Sequence, residues 1–108
     1  MNDQDSFFAK TPKPPYFAVI FTSEQSDTLD GYSNFAKRME ELARLEDGFL
    51  GIETVRAGRQ GITVSYWSSQ ESIVKWKKNL EHKEAQNLGK EKWYQKYRVR
   101  ITKVERDY

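Results

Sequence analysis

The sequence predicts one α+β domain of the ferredoxin-like class, with the order β-α-β-β-α-β and an antiparallel sheet. Three observations lead to this class. The length of 108 residues fits a single domain. Segments rich in β-branched and aromatic residues alternate with segments whose apolar residues recur at helical spacing. Parallel crossovers are right-handed, so the two β-α-β halves are expected to interleave in one sheet.

The chain begins with a polar segment that precedes the first strand. Residues 1–14 mix Asp, Gln, Lys and Pro, so we expect a flexible tail there and a folded domain over residues 15–108. The first strand is YFAVIFT, residues 16–22, after a Pro-Pro stop. Both of its faces are apolar, which indicates that both are covered. We assign Val19 and Phe21 to the face turned away from the helices.

The first helix and a hairpin follow this strand. Residues 28–45 carry Tyr32, Phe35, Met39 and Leu42 at helical spacing, and Gly48 is a suitable stop. Residues 49–56 and 62–67 are predicted strands, because RAGRQG between them supplies two glycines for a turn.

A second helix and a last strand complete the predicted domain. Ser68-x-x-Glu71 has the pattern of a capping box, and Ile73, Trp76 and Leu80 form the apolar stripe behind it. The stripe breaks near His82, so we expect a bend there and a short helix up to about Trp93. The alternating segment YRVRITKV, residues 97–104, is the predicted last strand.

This order of elements predicts where the faces of the sheet lie. The first and third strands occupy its centre, and both helices cover the same face. The other face has no cover within the chain, although the central strand is apolar on both sides. We therefore expect a homodimer that packs sheet to sheet through a two-fold interface.

The composition excludes several kinds of site. The chain has no Cys and one His, so a disulfide framework, a thiolate metal site and a one-chain zinc set are excluded, and we expect no metal. No apolar run is long enough to span a membrane, so we expect no membrane partner and a cytoplasmic location. There is no Gly-rich phosphate loop and no Gly-x-Ser-x-Gly elbow.

Three segments together resemble the antibiotic biosynthesis monooxygenase family of small dimeric α+β barrels. They are GFLGIETVR, GITVSYWSSQESIVKWKKNLEHKEAQNLGKEKWY and YRVRITKVER, and the similarity extends over roughly residues 16–108. The resemblance implies a cofactor-independent monooxygenase that oxidises a small aromatic or quinol-like compound. It also implies that no cofactor is needed, because the electron-rich substrate itself reduces oxygen.

Within that resemblance, five residues are candidates for the site. A histidine titrates near neutral pH, so His82 is the candidate catalytic base, and Trp76 is the candidate that positions the substrate. Gln86 lies four residues after His82 and shares its helix face. Gln86, Trp67 and Phe35 are the candidate substrate-binding residues. The ordinary alternatives are a solvated His82 and a Trp67 that belongs to the core.

Three other functions stay open at this point. In the haem-degrading branch of the family, the first strand carries an Asn and a His follows the Trp by ten residues. Here that position is Gln86, and residues 16–22 contain no Asn. A dimer that binds a small apolar ligand without turnover is a second alternative. RNA binding is the third, since residues 77–100 are basic, but Ile62 and Val64 stand where stacking aromatics are expected, so we expect no nucleic acid.

Overall fold

A computed structural model of the chain describes residues 7–26, 32–82 and 94–108. Six elements follow the predicted order β-α-β-β-α-β. They are β1 (Tyr16–Gln25), α1 (Tyr32–Arg44), β2 (Phe49–Ala57), β3 (Gln60–Trp67), α2 (Gln70–His82) and β4 (Tyr94–Val104). The ferredoxin-like α+β class is therefore confirmed. The short helix predicted before Trp93 lies outside the described residues.

The four strands form one antiparallel sheet in the order β2-β3-β1-β4. The central position predicted for the first and third strands is confirmed. β1 extends to Gln25, three residues beyond the prediction, because it pairs with β3 on one side and β4 on the other. Backbone hydrogen bonds to both neighbouring strands stabilise the polar end of β1. The strand propensity of these residues alone does not favour a strand there.

Both helices pack on one face of this sheet. Ala43 from α1, Trp67 from β3 and Ile73 from α2 form a buried cluster. Phe17 and Val19 of β1 pack against it, together with Phe49 and Trp76. Trp67 is the largest fully buried side chain, and an aromatic ring buries a large apolar area in a chain whose hydrophobic fraction is only 37%.

The assignment of Val19 and Phe21 to the face away from the helices is wrong. Val19 packs against the cluster beneath the helices, and Phe21 lies two residues further along the same side of the strand. The pattern of β1 could not decide between its faces, because both are apolar. The open sheet face, which is the face turned away from the helices, instead carries Ala18 and Ile20 of β1.

The corner where α2 begins also differs from the prediction. Ser69, and not Ser68, caps the helix: its Oγ accepts a hydrogen bond from the Ser72 backbone N–H at 3.1 Å. The Ser68 N–H instead donates to the carbonyl of Gly48 at 2.8 Å. The two serines are adjacent and equally able to cap, so the contact with Gly48 decides which one does.

Two residues before β1, Ala9 and Thr11, contact the open sheet face. The Ala9 N–H donates to Glu53 Oε2 at 2.9 Å, and Thr11 Oγ1 donates to the Tyr16 hydroxyl at 3.0 Å. The mobility expected for residues 1–14 stays a prediction. Neither described helix is long and apolar enough to cross a membrane.

Candidate functional site

The candidate site is on the helix face of the sheet, where β4 presents apolar side chains beyond the core. Ala43, Trp67 and Ile73 form the core near β3, whereas β4 keeps apolar side chains open to solvent on the same face. Val99 is 46% exposed and Ile101 is 55% exposed. The register pairs Phe21 with Val99 and Val19 with Ile101, so these side chains share a face. We call this surface, with Trp76 and Tyr97, the helix-side cleft.

Two tryptophans at the edge of the cleft are stacked on each other. The Trp67 and Trp76 ring centroids lie 6.1 Å apart with an interplanar angle of 28°. Trp67 is fully buried, its Nε1 donates to Ser65 Oγ at 2.9 Å, and Phe49 meets it edge-on at 5.4 Å. Trp67 is therefore fixed on three sides, and it holds the partly exposed Trp76 in place.

The other candidate residues are placed less completely. Phe35 lies in α1 and His82 is the last residue of α2, but only their position in the helix is described. Gln86 lies outside the described residues. The catalytic role of His82, the substrate contacts of Gln86 and Phe35, and any direct contact of Trp67 with a substrate stay predictions.

Polar contacts hold the helices around the cleft. The Asn79 side-chain amide of α2 donates to Glu46 Oε1, which ties α2 to the connection between α1 and β2. Arg44 at the end of α1 lies over the Phe49 ring at 5.6 Å, a cation–π contact. These contacts connect the two helices to the β2 side of the sheet.

The floor of the cleft contains residues that the sequence analysis did not identify as site residues. The Phe21 and Tyr97 rings are stacked at 5.7 Å with an interplanar angle of 24°. Tyr97, Val99 and Ile101 alternate with Arg98 and Arg100 along β4. That alternation was the available signal, because it places the three apolar residues on one face of the strand.

The side chains of the helix-side cleft are mainly apolar. Its floor and wall are aromatic and aliphatic. Ser65 and Thr63 lie on the same sheet face, because their register pairs them with Val19 and Phe21.

Across residues 7–26, 32–82 and 94–108, no group of three or more His, Cys, Asp or Glu side chains could hold a metal ion.

Two tyrosine–carboxylate pairs lie on the open sheet face, opposite the cleft. The Tyr66 hydroxyl donates to Glu53 Oε1 at 2.6 Å, and the Tyr16 hydroxyl donates to Asp107 Oδ2 at 2.5 Å. Burial, followed by the hydrogen bond to the carboxylate, raises the pKa of both tyrosines above its usual value. Sequence patterns did not reveal these pairs, because each depends on residues distant in the chain.

The chain matches the Monooxygenase af470-like family over residues 18–103. It is 50% identical over 101 residues to the uncharacterized protein YqjZ of Bacillus subtilis (strain 168), covering 93% of this chain and 89% of that protein. It is 36% identical over 95 residues to the Jasmonate monooxygenase ABM of Pyricularia oryzae, covering 82% of this chain but 43% of the fungal protein.

A solved structure with the same fold is that of SnoaB, a cofactor-independent oxygenase from Streptomyces nogalater. The two structures superpose with a TM-score of 0.73 at 5% sequence identity. The match covers 85% of this chain and 95% of the SnoaB chain. At this identity the similarity concerns the fold alone.

Proposed function

Because the chain belongs to the Monooxygenase af470-like family and carries an antibiotic biosynthesis monooxygenase domain, we propose that it is a cofactor-independent monooxygenase. The proposed substrate is a small aromatic or quinol-like compound bound in the helix-side cleft. The observation that carries the proposal is the half-exposed apolar side chains of β4 on the sheet face that also carries the Trp67–Trp76 stack. The name of the fungal relative, a monooxygenase, supports oxygen insertion as the type of reaction.

The proposed chemistry uses the substrate as the source of electrons. A base, proposed to be His82, removes the phenol proton, and the resulting phenolate transfers electron density to O₂. A carbon–oxygen bond forms at a ring carbon, the O–O bond then breaks, and the C–H proton leaves. One oxygen atom becomes the new carbonyl of a quinone and the other leaves as water, so a phenol and O₂ give a quinone and water.

The protein contributes position and exclusion of water. Trp76 provides a flat wall against which an aromatic ring stacks, and the bound ring covers the exposed apolar side chains of Val99 and Ile101. A dry site that holds the phenolate carbon close to O₂ favours reaction over release. Gln86 is proposed to donate a hydrogen bond to the substrate, and Phe35 to contact its ring.

Isotope labelling of the reaction tests the proposal. Purified, metal-free protein is incubated with a panel of phenols and hydroquinones under ¹⁸O₂, and the product is examined by mass spectrometry. The expected result is one ¹⁸O atom in a quinone product, with His82→Ala abolishing turnover and Lys78→Ala, on the same helix, leaving it intact. No enzyme-dependent label in any product would contradict the proposal. Saturable haem binding with oxygen-dependent bleaching would assign the chain to the haem-degrading branch instead.

We also propose that the protein is a homodimer through the open sheet face. Val55 is 57% exposed and Ile62 is 50% exposed, and their register places both on this face beside Val64 and Ile20. An exposed apolar patch in the middle of a sheet is typical of an interface between copies. A cytoplasmic location stays a prediction.

A further inference from the structure

A cavity lies on the open sheet face, at the end where β1 begins and β3 ends. Its volume is ≈ 440 Å³, within the range of small-molecule sites, which begins at roughly 300 Å³. The side chains that matter here are Phe8, Tyr16, Glu53, Tyr66, Asp107 and Tyr108. We call it the carboxylate cavity. The sheet separates it from the helix-side cleft, so the proposed oxidation does not use it.

The charged groups of this cavity are two carboxylates. Glu53 accepts hydrogen bonds from the Tyr66 hydroxyl and the Ala9 N–H, and Asp107 accepts one from the Tyr16 hydroxyl. Among the residues that the structure describes, neither carboxylate forms an ion pair. All the hydrogen-bond donors are neutral groups. They hold the two carboxylates in place but do not neutralise their negative charges. The cavity therefore favours a cation.

The aromatic walls of the cavity favour the same kind of ligand. The Tyr16 and Tyr66 rings meet edge to face, with centroids 5.7 Å apart and an interplanar angle of 84°, so they form a corner. Phe8 and Tyr108 stand at the exposed rim. The faces of aromatic rings attract cations, and alkylated ammonium groups combine this attraction with apolar contact.

We propose that the carboxylate cavity binds a small alkylammonium ion. Its N–H donates to Glu53 or Asp107, and its alkyl groups pack in the corner between Tyr16 and Tyr66. A metal ion fits less well, because hard cations require six or more oxygen ligands and the described residues provide no group of three acidic side chains or histidines. A phosphate or carboxylate ligand would be repelled by the two carboxylates.

A titration of the full chain with trimethylammonium chloride, followed by NMR, tests this inference. The uncharged control is tert-butanol, a molecule of similar shape. The expected result is saturable shifts of the tyrosine ring signals with the cation and none with tert-butanol. Glu53→Gln and Asp107→Asn are each expected to weaken binding about 10-fold, the usual effect of losing one charged hydrogen bond. Glu71→Gln, an exposed change on α2, is the matched control and leaves binding unchanged.

Three results would overturn the inference. Equal shifts with tert-butanol would show that charge is not recognised. Unchanged affinity in both Glu53→Gln and Asp107→Asn would place the binding elsewhere. If the affinity for trimethylammonium falls as the protein concentration rises, a second copy of the chain competes for the cavity. A basic side chain of that copy would then be the occupant. If Glu53→Gln fails to fold, Asp107→Asn and the comparison of the two probes still decide the outcome.

Discussion

Trp76 stacks on Trp67 with ring centroids 6.1 Å apart, so a partly exposed side chain of α2 is held by a fully buried one of β3. This contact links the core to the helix-side cleft. Because Trp67 is fixed by Ser65 and Phe49, the orientation of Trp76 is set by the fold before any substrate binds. Such preorganisation is what a substrate-positioning wall requires.

Replacement of Trp76 by Ala is therefore expected to reduce kcat/KM for an identified phenol or hydroquinone by at least about 10-fold. The same change removes a half-buried aromatic ring and lowers the free energy of unfolding by about 1–3 kcal/mol. Trp76→Phe keeps an aromatic wall and is expected to retain most of the activity. Steady-state kinetics and urea unfolding provide the two measurements.

Val74→Ala is the control for that prediction. Val74 lies two residues before Trp76 on α2 and is 52% exposed. Val74→Ala is expected to leave kcat/KM unchanged and to change the free energy of unfolding by no more than about 0.5 kcal/mol. Full activity in Trp76→Ala would exclude Trp76 as the wall that positions the substrate.

Ile62→Asp and Val55→Asp are expected to convert the proposed dimer into folded monomers. Each change places a carboxylate in the middle of the apolar patch on the open sheet face, where it would be desolvated in the interface but solvated in the monomer. Sedimentation velocity gives the mass, and circular dichroism checks the fold. Val74→Asp on α2 serves as the control and is expected to stay dimeric. Dimers in both sheet variants would show that the interface lies elsewhere.

Gly48→Ala is expected to be more destabilising than Gly58→Ala. Both glycines have a positive φ, 88° and 60°, so an L side chain is strained at either position. At Gly48 an added Cβ would also lie 2.7 Å from Ser68 Oγ and 2.8 Å from Ser72 Cβ, whereas at Gly58 it meets open space. We expect a loss of about 1 kcal/mol at Gly58, and about 1–3 kcal/mol more at Gly48, by urea unfolding. Equal losses would contradict the predicted clash.

Stability is expected to fall at alkaline pH because of Tyr66. Burial and the hydrogen bond to Glu53 raise the pKa of Tyr66 in the folded state above the ordinary value of about 10. Above that pH the unfolded chain loses the phenol proton while the folded chain retains it. The unfolded state then binds fewer protons, so the free energy of unfolding decreases as pH rises through this window.

Thermal unfolding between about pH 8 and pH 11 measures this effect. Tyr66→Phe has no proton to lose and is expected to show a shallower decrease than the parent. Some decrease is expected to persist, because the pKa of Tyr16 is also raised. Identical slopes in the two proteins would show that Tyr66 does not hold its proton more tightly in the folded state.

Most of the fold could be predicted from local patterns. The order of elements follows from periodicity and turn residues, and the central position of β1 follows from its apolar character. The faces of β1 could not be predicted, because Val19 and Ile20 are both apolar and only the packing against Trp67 distinguishes them. Ser68 and Ser69 are likewise equivalent as caps until Gly48 binds one of them.

The candidate site could be predicted only in part. Trp76 was indicated by its helix pattern and by the family resemblance, and its role at the site stays a prediction. The contribution of Val99 and Ile101 was missed because it depends on the register between β1 and β4. The Tyr16–Asp107 hydrogen bond joins residues 91 positions apart, a separation that no local pattern reports.

The double pairing of β1 also has a consequence for synthesis in the cell. Its neighbours in the sheet, β3 and β4, both come later in the chain. The apolar segment from Tyr16 to Phe21 therefore leaves the ribosome before both of its partner strands, and its pairing is completed only when β4 has been translated. Long-range strand pairing of this kind is slow and leaves an aggregation-prone segment unpaired in the nascent chain. The longer the interval between synthesis of β1 and synthesis of β4, the more the nascent chain is expected to depend on chaperones.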